Sequence, residues 1–182
     1  LIERVTAKEL TGHSLETELK EIIRERDEIL KDRFDHIVEA SAVLDIEGAM
    51  SREEFFKLVA DTMAGRLKIK PEILLKSLMK REKESTTVLN PFLAIPHIII
   101  NGEHNFGILL ARSKEGISFS ESAPKVHTVF VLVGTKDERN FHLRALSAIA
   151  QIVQDPHFEE RWMSARNKEV LRDIVLLGKR RR

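Results

Sequence analysis

Residues 126–154 read VHTVFVLVGTKDERNFHLRALSAIAQIVQ, and this stretch decides the fold class. Val126 to Gly134 is almost continuously apolar and rich in β-branched residues, which predicts a buried strand. Thr135 and Glu138 then have the spacing of a capping box, and apolar residues recur at helical spacing from about Asp137 to Gln154. A buried strand followed directly by an amphipathic helix is typical of layered α/β domains.

The segments on either side extend this pattern. Upstream, a second apolar stretch with strand character precedes Val126, and Ser51 with Glu54 forms another capping box. ESTTVLN, from Glu84 to Asn90, has the composition of a loop. Helices on both sides of central strands therefore predict an α/β layered domain. The further predicted elements are a strand at Phe106–Arg112 and helices at Arg52–Arg66, at PEILLKSLMKRE from Pro71, after Asp155 and Pro156, and from the Asn167 cap to Leu177.

The N-terminal part has a different character. From Ser14 to about Ala40 the chain lacks Gly and Pro, and its apolar residues recur at helical spacing beneath a charged face. This predicts a long amphipathic helix, followed by a short apolar link, AVLDI. We therefore expect a linker over residues 1–45 and a folded domain over residues 46–182. Alternatively, the amphipathic helix pairs with its counterpart in a homodimer.

Composition excludes several classes of function. The 182 residues are 42% apolar and 32% charged, and no apolar run approaches the roughly 20 residues that span a bilayer. Thirty basic against twenty-nine acidic residues leave a formal charge of +1, so no nucleic acid partner is expected. The chain has no cysteine, which suits the cytosol. Because it starts at Leu1 without a signal-like region, we expect it to be cut from a larger gene product.

The sequence contains none of the common cofactor or metal motifs. GxxxxGK[ST], GxGxxG and HExxH are all absent from the chain, and so is the GxSxG elbow of Ser-His-Asp hydrolases. The seven histidines do not form a helical pair at metal-ligand spacing. We therefore expect no cofactor and no metal.

One histidine stands out because of its neighbours. His97 follows a proline in the apolar stretch LAIPHIII, residues 93–100. A core histidine with backbone partners is one interpretation; a functional imidazole is the other. Arg81 precedes it by sixteen residues, beside Glu82, and the downstream stretch NFHLRAL places His142 early in a helix. Each has an ordinary alternative, since Arg81 could be a helix C-terminal cation and His142 a structural residue.

These residues resemble the enzyme IIA domains of the fructose/mannitol type of the bacterial sugar phosphotransferase system and the related nitrogen-regulatory IIA proteins. The likeness covers about Ser51 to Leu177 and includes the RE…ST…IAxPH spacing, the HLxxL helix and the DPHF and KEVL stretches. It implies a three-layer α/β/α sandwich with a central mixed sheet. It also implies that His97 accepts a phosphoryl group from an HPr-like carrier and passes it on. The same resemblance implies that His142 and Arg81 contact the phosphoryl oxygens. It also implies that Thr87, with Thr86 beside it, binds or positions the phosphoryl group.

The sequence departs from the family pattern in one loop. Val88, Asn90 and Phe92 stand where the family usually carries glycines before IPH. Glycine permits a positive φ and close backbone approach to a phosphate. The chain also resembles the tails of membrane transporters, including cation/proton antiporters, which implies a cytosolic domain of an inner-membrane protein. A non-catalytic regulatory module that binds an anion or docks to such a transporter is therefore the alternative function.

Overall fold

The computed structural model describes residues 17–20 and 31–182. The chain divides into two compact units, Leu1–His36 and Ile37–Arg182. Within the described residues the strands are β1 (Ala42–Ile46), β2 (Met50–Ser51), β3 (Val88–Asn90), β4 (Leu93–Ala94), β5 (His97–Ile100), β6 (Phe106–Ser118) and β7 (Val126–Thr135). The helices are α1 (Arg33–Ala40), α2 (Arg52–Leu67), α3 (Pro71–Glu84), α4 (Arg139–Val153), α5 (Phe158–Ser164) and α6 (Lys168–Leu176).

The two strands predicted from their apolar runs form the centre of the sheet. β6 and β7 pair antiparallel, and the strand order is β1-β6-β7-β4-β3. β1 and β2 run parallel to β6, and β4 and β5 run parallel to β7. At the far edge β3 pairs antiparallel with β4. The predicted central mixed sheet is therefore confirmed.

Helices cover both faces of the sheet because β6 and β7 alternate their buried side chains between the two sides. On one face Leu109 and Val131 belong to a core cluster with residues of α2 and α3. On the other, the Phe130 ring lies 5.7 Å from Trp162 of α5, and Phe158 stacks on Trp162 at 5.4 Å. α4 contacts β7 and α6 contacts β1. This is the predicted three-layer α/β/α sandwich.

Most of the predicted helix ends are also confirmed. The Ser51 hydroxyl accepts a hydrogen bond from the Glu54 amide at 3.1 Å, and the Glu54 carboxylate accepts one from the Ser51 amide at 3.3 Å. These two bonds form the predicted capping box of α2. Pro71 lies in the first turn of α3. The Asn167 side chain caps α6 by accepting from the Val170 amide at 3.0 Å.

The capping box predicted at Thr135 was wrong. Its side chain does not cap a helix; the hydroxyl donates to Asp137 and accepts from the Asn105 amide at 3.2 Å. A 3₁₀ turn, Lys136–Glu138, therefore precedes α4, which begins at Arg139. The Thr135 hydroxyl is hydrogen-bonded to Asn105, in the loop before β6, and therefore does not accept from an amide of the helix.

Five short strands, β1 to β5, lie where the sequence predicted a link, a loop or no strand. AVLDI is β1, which pairs with Leu109 to Ser113 of β6. Part of the predicted loop is β3, and His97–Ile100 is β5, which pairs with Leu132 to Thr135 of β7. β6 also continues beyond Arg112 to Ser118 after an irregularity in its register. The end of β6 contains charged residues, so it lacks an apolar pattern. The short strands depend on pairing with a neighbouring strand, so their own sequence does not predict them.

Of the predicted helix from Ser14 to Ala40, residues 14–16 and 21–30 lie outside the described residues. Residues 17–20 are helical, but Lys31 and Asp32 are not. The Asp32 carboxylate accepts from the Asp35 amide at 3.1 Å, and the Asp35 carboxylate accepts from the Asp32 amide at 3.3 Å. Such reciprocal bonds define a helix start. One uninterrupted helix up to Ala40 was therefore a wrong prediction.

A fully buried arginine joins the sheet to α5. Arg112 of β6 donates to both carboxylate oxygens of Asp45 at 2.9 and 2.8 Å. It also donates to the carbonyl oxygens of Trp162 at 2.9 Å and Ala165 at 2.6 Å. Carbonyl groups at the C-terminal end of a helix lack intrahelical hydrogen-bond donors, and the buried guanidinium of Arg112 supplies the missing donors. Among the described residues, no helix is long and apolar enough to cross a membrane.

Candidate functional site

Three of the residues that the sequence singled out meet at a cavity of about 450 Å³ between α3, β5 and α4. His97, His142 and Arg81 all contribute to its wall, although more than 60 residues of sequence separate the two ends of this set. The full lining is Ser77, Lys80, Arg81, Glu84, His97, Ile98, Ile99, Arg139, His142, Leu143 and Leu146. The fold therefore assembles two imidazoles and a guanidinium at one opening.

His97 is the first residue of β5 and is half-buried. Its Nδ1 lies 2.7 Å from the carbonyl oxygen of Ile95. A carbonyl oxygen can only accept, so Nδ1 carries the hydrogen, and in the neutral ring the lone pair is on Nε2. The backbone on either side is held as well, because the Ile95 amide donates to the Thr87 carbonyl and the Leu132 amide to the Pro96 carbonyl, both at 2.9 Å. The ring and its tautomer are both fixed.

His142 lies in the second turn of α4 and is 4% exposed. Its ring centre is 5.9 Å from that of His97 and 5.4 Å from that of Phe106, with steep interplanar angles of 70° and 84°. Among the described residues, neither ring nitrogen has a hydrogen-bond partner. Burial, and secondarily the charge of His97, lowers the pKa of His142 to about 4. The ring is therefore neutral near pH 7, with one N–H donor and one lone pair.

Unpartnered buried nitrogens of this kind are uncommon in folded proteins. Leaving such a polar group unsatisfied costs about 1–3 kcal/mol. In a cavity wall beside a second imidazole, that cost is recovered when a ligand with polar atoms binds. The orphaned nitrogens of His142 thus mark the cavity as a place for a polar group.

Space for the His142 ring depends on Gly134 of β7. A Cβ atom there would lie 2.6 Å from Cδ2 of Phe106 and 3.5 Å from Nδ1 of His142. The first distance is well inside van der Waals contact, so Phe106 could not keep its place. The absence of a side chain at Gly134 lets Phe106 pack edge-on against His142.

Arg81 lies in the last turn of α3 and is bound from one side. One of its terminal nitrogens donates to the Ser85 carbonyl at 2.9 Å and to the Ser85 hydroxyl at 3.0 Å. Arg81 therefore satisfies the end of α3 and also lines the cavity, and its contact with a phosphoryl group stays a prediction. A guanidinium has five N–H donors, so it can donate to the end of α3 and to a group in the cavity at the same time.

Lys80 and Arg139 also line the cavity, and sequence reasoning missed them. Both are exposed, and neither has a hydrogen bond or ion pair with another described residue. Arg139 precedes His142 by three residues in one helix, and residues at this spacing share a helix face. That spacing was a signal available in the sequence. Lys80 had no comparable signal, because adjacent residues of a helix point about 100° apart.

Thr86 and Thr87 do not line the cavity. The buried Glu82 carboxylate accepts from the Thr87 hydroxyl at 2.6 Å, the Thr87 amide at 3.0 Å and the Thr86 hydroxyl at 3.3 Å. These bonds join the end of α3 to the segment that leads to β3. Because the Thr87 carbonyl also accepts from Ile95, the threonines act on the His97 segment through the backbone. Direct phosphate contact by either threonine stays a prediction.

The loop that lacks the family's glycines has ordinary backbone geometry. Within the described residues, positive φ angles occur only at Lys68, His104, Gly102 and Gly116. Val88, Asn90 and Phe92 are not among them, and Val88 pairs with Ala94 in the β3–β4 ladder. The chain thus forms a short strand pair in this segment and does not need glycine there.

Away from the cavity, His104 meets two carboxylates. Its Nδ1 lies 3.1 Å from Asp137, and ligand atoms of His104, Asp137 and Glu138 lie within 4.8 Å of one another. The Asp137 carboxylate also accepts from the Thr135 hydroxyl and the His104 amide, and these bonds lower its pKa. The cluster is exposed, and its hydrogen bonds account for its geometry.

The chain matches the family model described as "Phosphoenolpyruvate-dependent sugar phosphotransferase system, EIIA 2" over residues 36–177. It therefore belongs to this EIIA family. It is 31% identical to the mannitol-specific phosphotransferase enzyme IIA component of Bacillus subtilis over 124 residues, covering 66% of this chain and 83% of that protein. It is 28% identical over 101 residues to the fructose-specific EIIABC component of the same organism, covering 55% of this chain but only 16% of that protein.

A solved structure confirms the fold. The crystal structure of the nitrogen regulatory protein IIA-Ntr from Neisseria meningitidis matches with a TM-score of 0.70 and 23% identity. The match covers 79% of this chain and 99% of that one. The chain is thus an EIIA-type domain of the phosphotransferase system, as its motifs indicated.

Proposed function

We propose that this domain is a phosphohistidine relay in which Nε2 of His97 accepts a phosphoryl group from an HPr-like carrier protein. The observation that carries the proposal is the 2.7 Å contact between Nδ1 of His97 and the Ile95 carbonyl, because it leaves the lone pair on Nε2. Membership of the EIIA family supports it. No metal or cofactor enters the reaction as proposed.

The transfer exchanges one P–N bond for another. The Nε2 lone pair of His97 attacks phosphorus in line with the bond to the carrier's phosphohistidine, and that bond breaks with its electron pair returning to the carrier's imidazole. The Nδ1 hydrogen of His97 stays on its bond to Ile95, whose carbonyl dipole stabilises the positive charge that develops on the ring. No proton has to move between the proteins, so catalysis is positioning and charge stabilisation.

The cavity residues take distinct parts in this step. Arg81 and Arg139 supply planar guanidinium donors to the phosphoryl oxygens, and charged hydrogen bonds of this kind contribute about 1.5–3 kcal/mol each. Lys80 adds a third positive charge. The neutral ring of His142 donates its single N–H to a phosphoryl oxygen and so satisfies an otherwise unpaired buried nitrogen. Thr86 and Thr87 position the His97 segment through Glu82.

The test is incorporation of an acid-labile phosphate. The protein is incubated with phosphoenolpyruvate, the first enzyme of the phosphotransferase system and an HPr-type carrier, and intact mass and ³¹P NMR are recorded. We expect one phosphate, on the Nε2 position of a histidine. His97→Ala should abolish it, whereas the matched variant His157→Ala, at an exposed histidine outside the cavity, should retain it. Label that persists in His97→Ala, or none under conditions that label a known EIIA, contradicts the proposal.

A second candidate function is a regulatory module of a membrane ion transporter that binds an anion without transfer. The ordinary backbone of the β3–β4 segment, where the family carries glycines, favours it. In that case inorganic phosphate should bind at the cavity with equal affinity in the wild type and in His97→Ala, and binding should be lost in Arg81→Ala. Isothermal titration separates the two candidates, because a relay requires His97 and a passive anion site does not.

We further propose a cytoplasmic location and a covalent link to a preceding membrane transporter. Phosphoenolpyruvate is a cytoplasmic metabolite, and one relative is a multi-component EIIABC protein of which this chain matches a small part. A homodimer through residues 14–40 stays a prediction. It is tested by the mass in solution before and after truncation at Ala42, which should fall from dimer to monomer if the helix pairs.

A further inference from the structure

A second cavity, of about 290 Å³, lies between the end of α1, α2 and the start of β6. All its lining residues belong to the compact unit Ile37–Arg182. Most of the wall is apolar, and it includes the buried side chains of Met63, Leu67 and Ile108. Among the described residues that form this wall, Arg66 alone carries a formal charge. The volume is close to the lower end of the range for ligand pockets, so it suits a small molecule.

At this cavity the edge of β6 has backbone amides that no described residue pairs. The Thr135 amide donates to the Asn105 carbonyl. Because a trans peptide sets its C=O and N–H in opposite directions, the amide of Phe106 points away from β7. Hydrogen bonding alternates along an antiparallel pair, so the Ile108 amide points the same way. Pairing with β1 begins only at Leu109, so both N–H groups lack an acceptor within the described chain.

Arg66, in the last turn of α2, adds a positive charge to the same wall. One of its terminal nitrogens donates to the Ala40 carbonyl, and its other N–H groups have no acceptor in the described part of the chain. The side-chain amide of Asn105 donates to the Leu67 carbonyl at 2.6 Å and holds the start of β6 against the end of α2. The cavity therefore combines a guanidinium and two backbone donors with an apolar interior. A carboxylate accepts hydrogen bonds from both kinds of donor.

We propose that this second cavity binds a small carboxylate with an apolar body, and that the bound ligand is detected at His142 through Phe106. The carboxylate accepts from Arg66 and from the open amides of β6. The apolar body lies against Met63 and Leu67. This site is separate from the proposed relay chemistry and does not depend on it.

Gly107 leaves room for the apolar body. It lies between the two open amides, and a Cβ atom there would be 3.4 Å from Cδ2 of Leu67 and 3.4 Å from Cε of Met63. These are ordinary van der Waals distances, so a single methyl group would fit. A larger side chain at this position would occupy the volume that the ligand needs.

Phe106 connects the second cavity to the His97 cavity. Its ring centre is 5.4 Å from that of His142 and 4.9 Å from that of Phe141, both edge-on. The ring is confined on the β7 side, because a Cβ atom at Gly134 would lie only 2.6 Å from Cδ2 of Phe106. A ligand bonded to the Phe106 amide therefore acts on the residue whose ring packs against His142.

The donors and the shape of the cavity favour a small carboxylate over other occupants. An amine would bring a second positive charge to Arg66, and an uncharged apolar molecule would leave the donors unpaired. An extended peptide would need a longer free strand edge, because β1 already pairs with β6 from Leu109 onward.

The test uses the full chain and three probes with the same alkyl body: hexanoate, hexanamide and hexylamine. Isothermal titration measures their affinities at low salt and pH 7. We expect hexanoate to bind with a Kd on the order of 1 mM, as befits so small a ligand. Hexanamide should bind about tenfold or more weakly, because it lacks the charge that strengthens the bonds to the donors. Hexylamine should not bind.

Variants connect the preference to the named residues. Arg66→Gln should weaken hexanoate about tenfold and leave hexanamide unchanged. The matched change Arg166→Gln, at an exposed arginine outside both cavities, should alter neither affinity. Gly107→Val should exclude both probes, whereas Gly48→Val, at an exposed glycine with no atom within 4 Å of the added Cβ, should not. Circular dichroism checks that each variant is folded, and Arg66→Gln decides the question if Gly107→Val is not.

NMR locates the ligand and tests the contact with His142. Hexanoate should move the amide protons of Phe106 and Ile108 downfield, because each gains a charged acceptor. It should also shift the ring resonances of His142, and both effects should be lost in Arg66→Gln. Equal affinity for the three probes, or shifts confined to the residues of the His97 cavity, would overturn the proposed site. His142 resonances that stay unchanged at saturation would overturn its detection through Phe106.

Discussion

At the scale of single residues, the two histidines of the cavity differ because of what surrounds each ring. His97 is half-buried and bonded through Nδ1 to a backbone carbonyl, so in the neutral ring its other nitrogen carries the lone pair. His142 is buried without a partner, so its charged form is disfavoured. One ring therefore has its lone pair on Nε2, as the proposed relay requires, and the other can donate a hydrogen bond without carrying charge.

The low pKa of His142 predicts a dependence of stability on pH. In the unfolded chain histidine titrates near 6.5, whereas in the fold His142 does so at about 4. Between these values the unfolded state binds more protons, so the free energy of unfolding should fall as pH decreases from about 6.5 towards 4. Urea titrations at pH 7, 5.5 and 4.5 measure this, and His142→Phe should reduce the slope.

NMR of the same ring gives an independent check. The His142 resonances should stay in the neutral position down to about pH 5, and in urea they should titrate near 6.5. A phosphoryl dianion on His97 favours the positive form of a neighbouring imidazole, so phosphorylation should raise the pKa of His142. A ring that already titrates near 6.5 in the folded, unphosphorylated protein would contradict this account.

Gly134 predicts a local and measurable sensitivity. Gly134→Ala places a methyl group where Phe106 packs, and forced overpacking of a core costs about 1–3 kcal/mol. The matched change Gly65→Ala, in α2 with no atom within 4 Å of the added Cβ, should instead stabilise by up to about 1 kcal/mol. Chemical denaturation compares the two. Equal effects of the same sign would show that the packing of Phe106 against His142 is not tight.

At the scale of elements, the sequence predicted those whose pattern is complete within the element itself. β7, the start of β6, and the helix starts at Ser51, Pro71 and Asn167 were identified because apolar periodicity and caps are local. β1, β3 and β5 were not, because strands of three to five residues depend on pairing with a neighbour. The motif residues of the cavity were found because their signal is also local, and the three-residue spacing of Arg139 to His142 was a local signal that was missed. Lys80 had no such signal and emerged only from the packing around the cavity.

The junction of β1, β6 and α5 depends on Arg112. Arg112→Met leaves Asp45 and the carbonyls at the end of α5 without their donor, and breaking a buried pair from one side costs about 3–5 kcal/mol. Lys114→Met is the matched control, because its ion pair with Glu47 is exposed and such pairs contribute at most about 1 kcal/mol. Thermal and urea unfolding measure both. A loss below 1 kcal/mol in Arg112→Met would show that the junction tolerates the change.

The same pair predicts acid sensitivity. The hydrogen bond from Arg112 holds the pKa of Asp45 below its usual value. The contribution of the Arg112–Asp45 pair to stability is therefore fully present above the pKa of about 3.9 that Asp45 has in the unfolded chain. It is lost as pH falls through the lower pKa that Asp45 has in the fold. Arg112→Met should remove this part of the acid transition, which a pH titration followed by circular dichroism would detect.

At the scale of the whole molecule, the sheet and its covering helices belong to one compact unit, Ile37–Arg182. All the cavity residues lie within it. We expect a fragment of residues 31–182, which retains the Asp32 cap of α1, to unfold in one cooperative transition and to accept phosphate on His97 as proposed for the full chain. A broad, noncooperative transition or loss of labelling in the fragment would show that the first thirty residues are needed for folding or for transfer.

The three cations and single carboxylate around the cavity have a consequence for the proposed transfer to His97. A phosphohistidine brings roughly two negative charges into a wall whose own groups sum to about two positive ones. The wall thus passes from cationic to nearly isoelectric in a single chemical event. A docked protein held by this charge would then lose its electrostatic hold once its cargo has been delivered, and the loaded and empty domains would separate on a native gel by electrophoretic mobility alone.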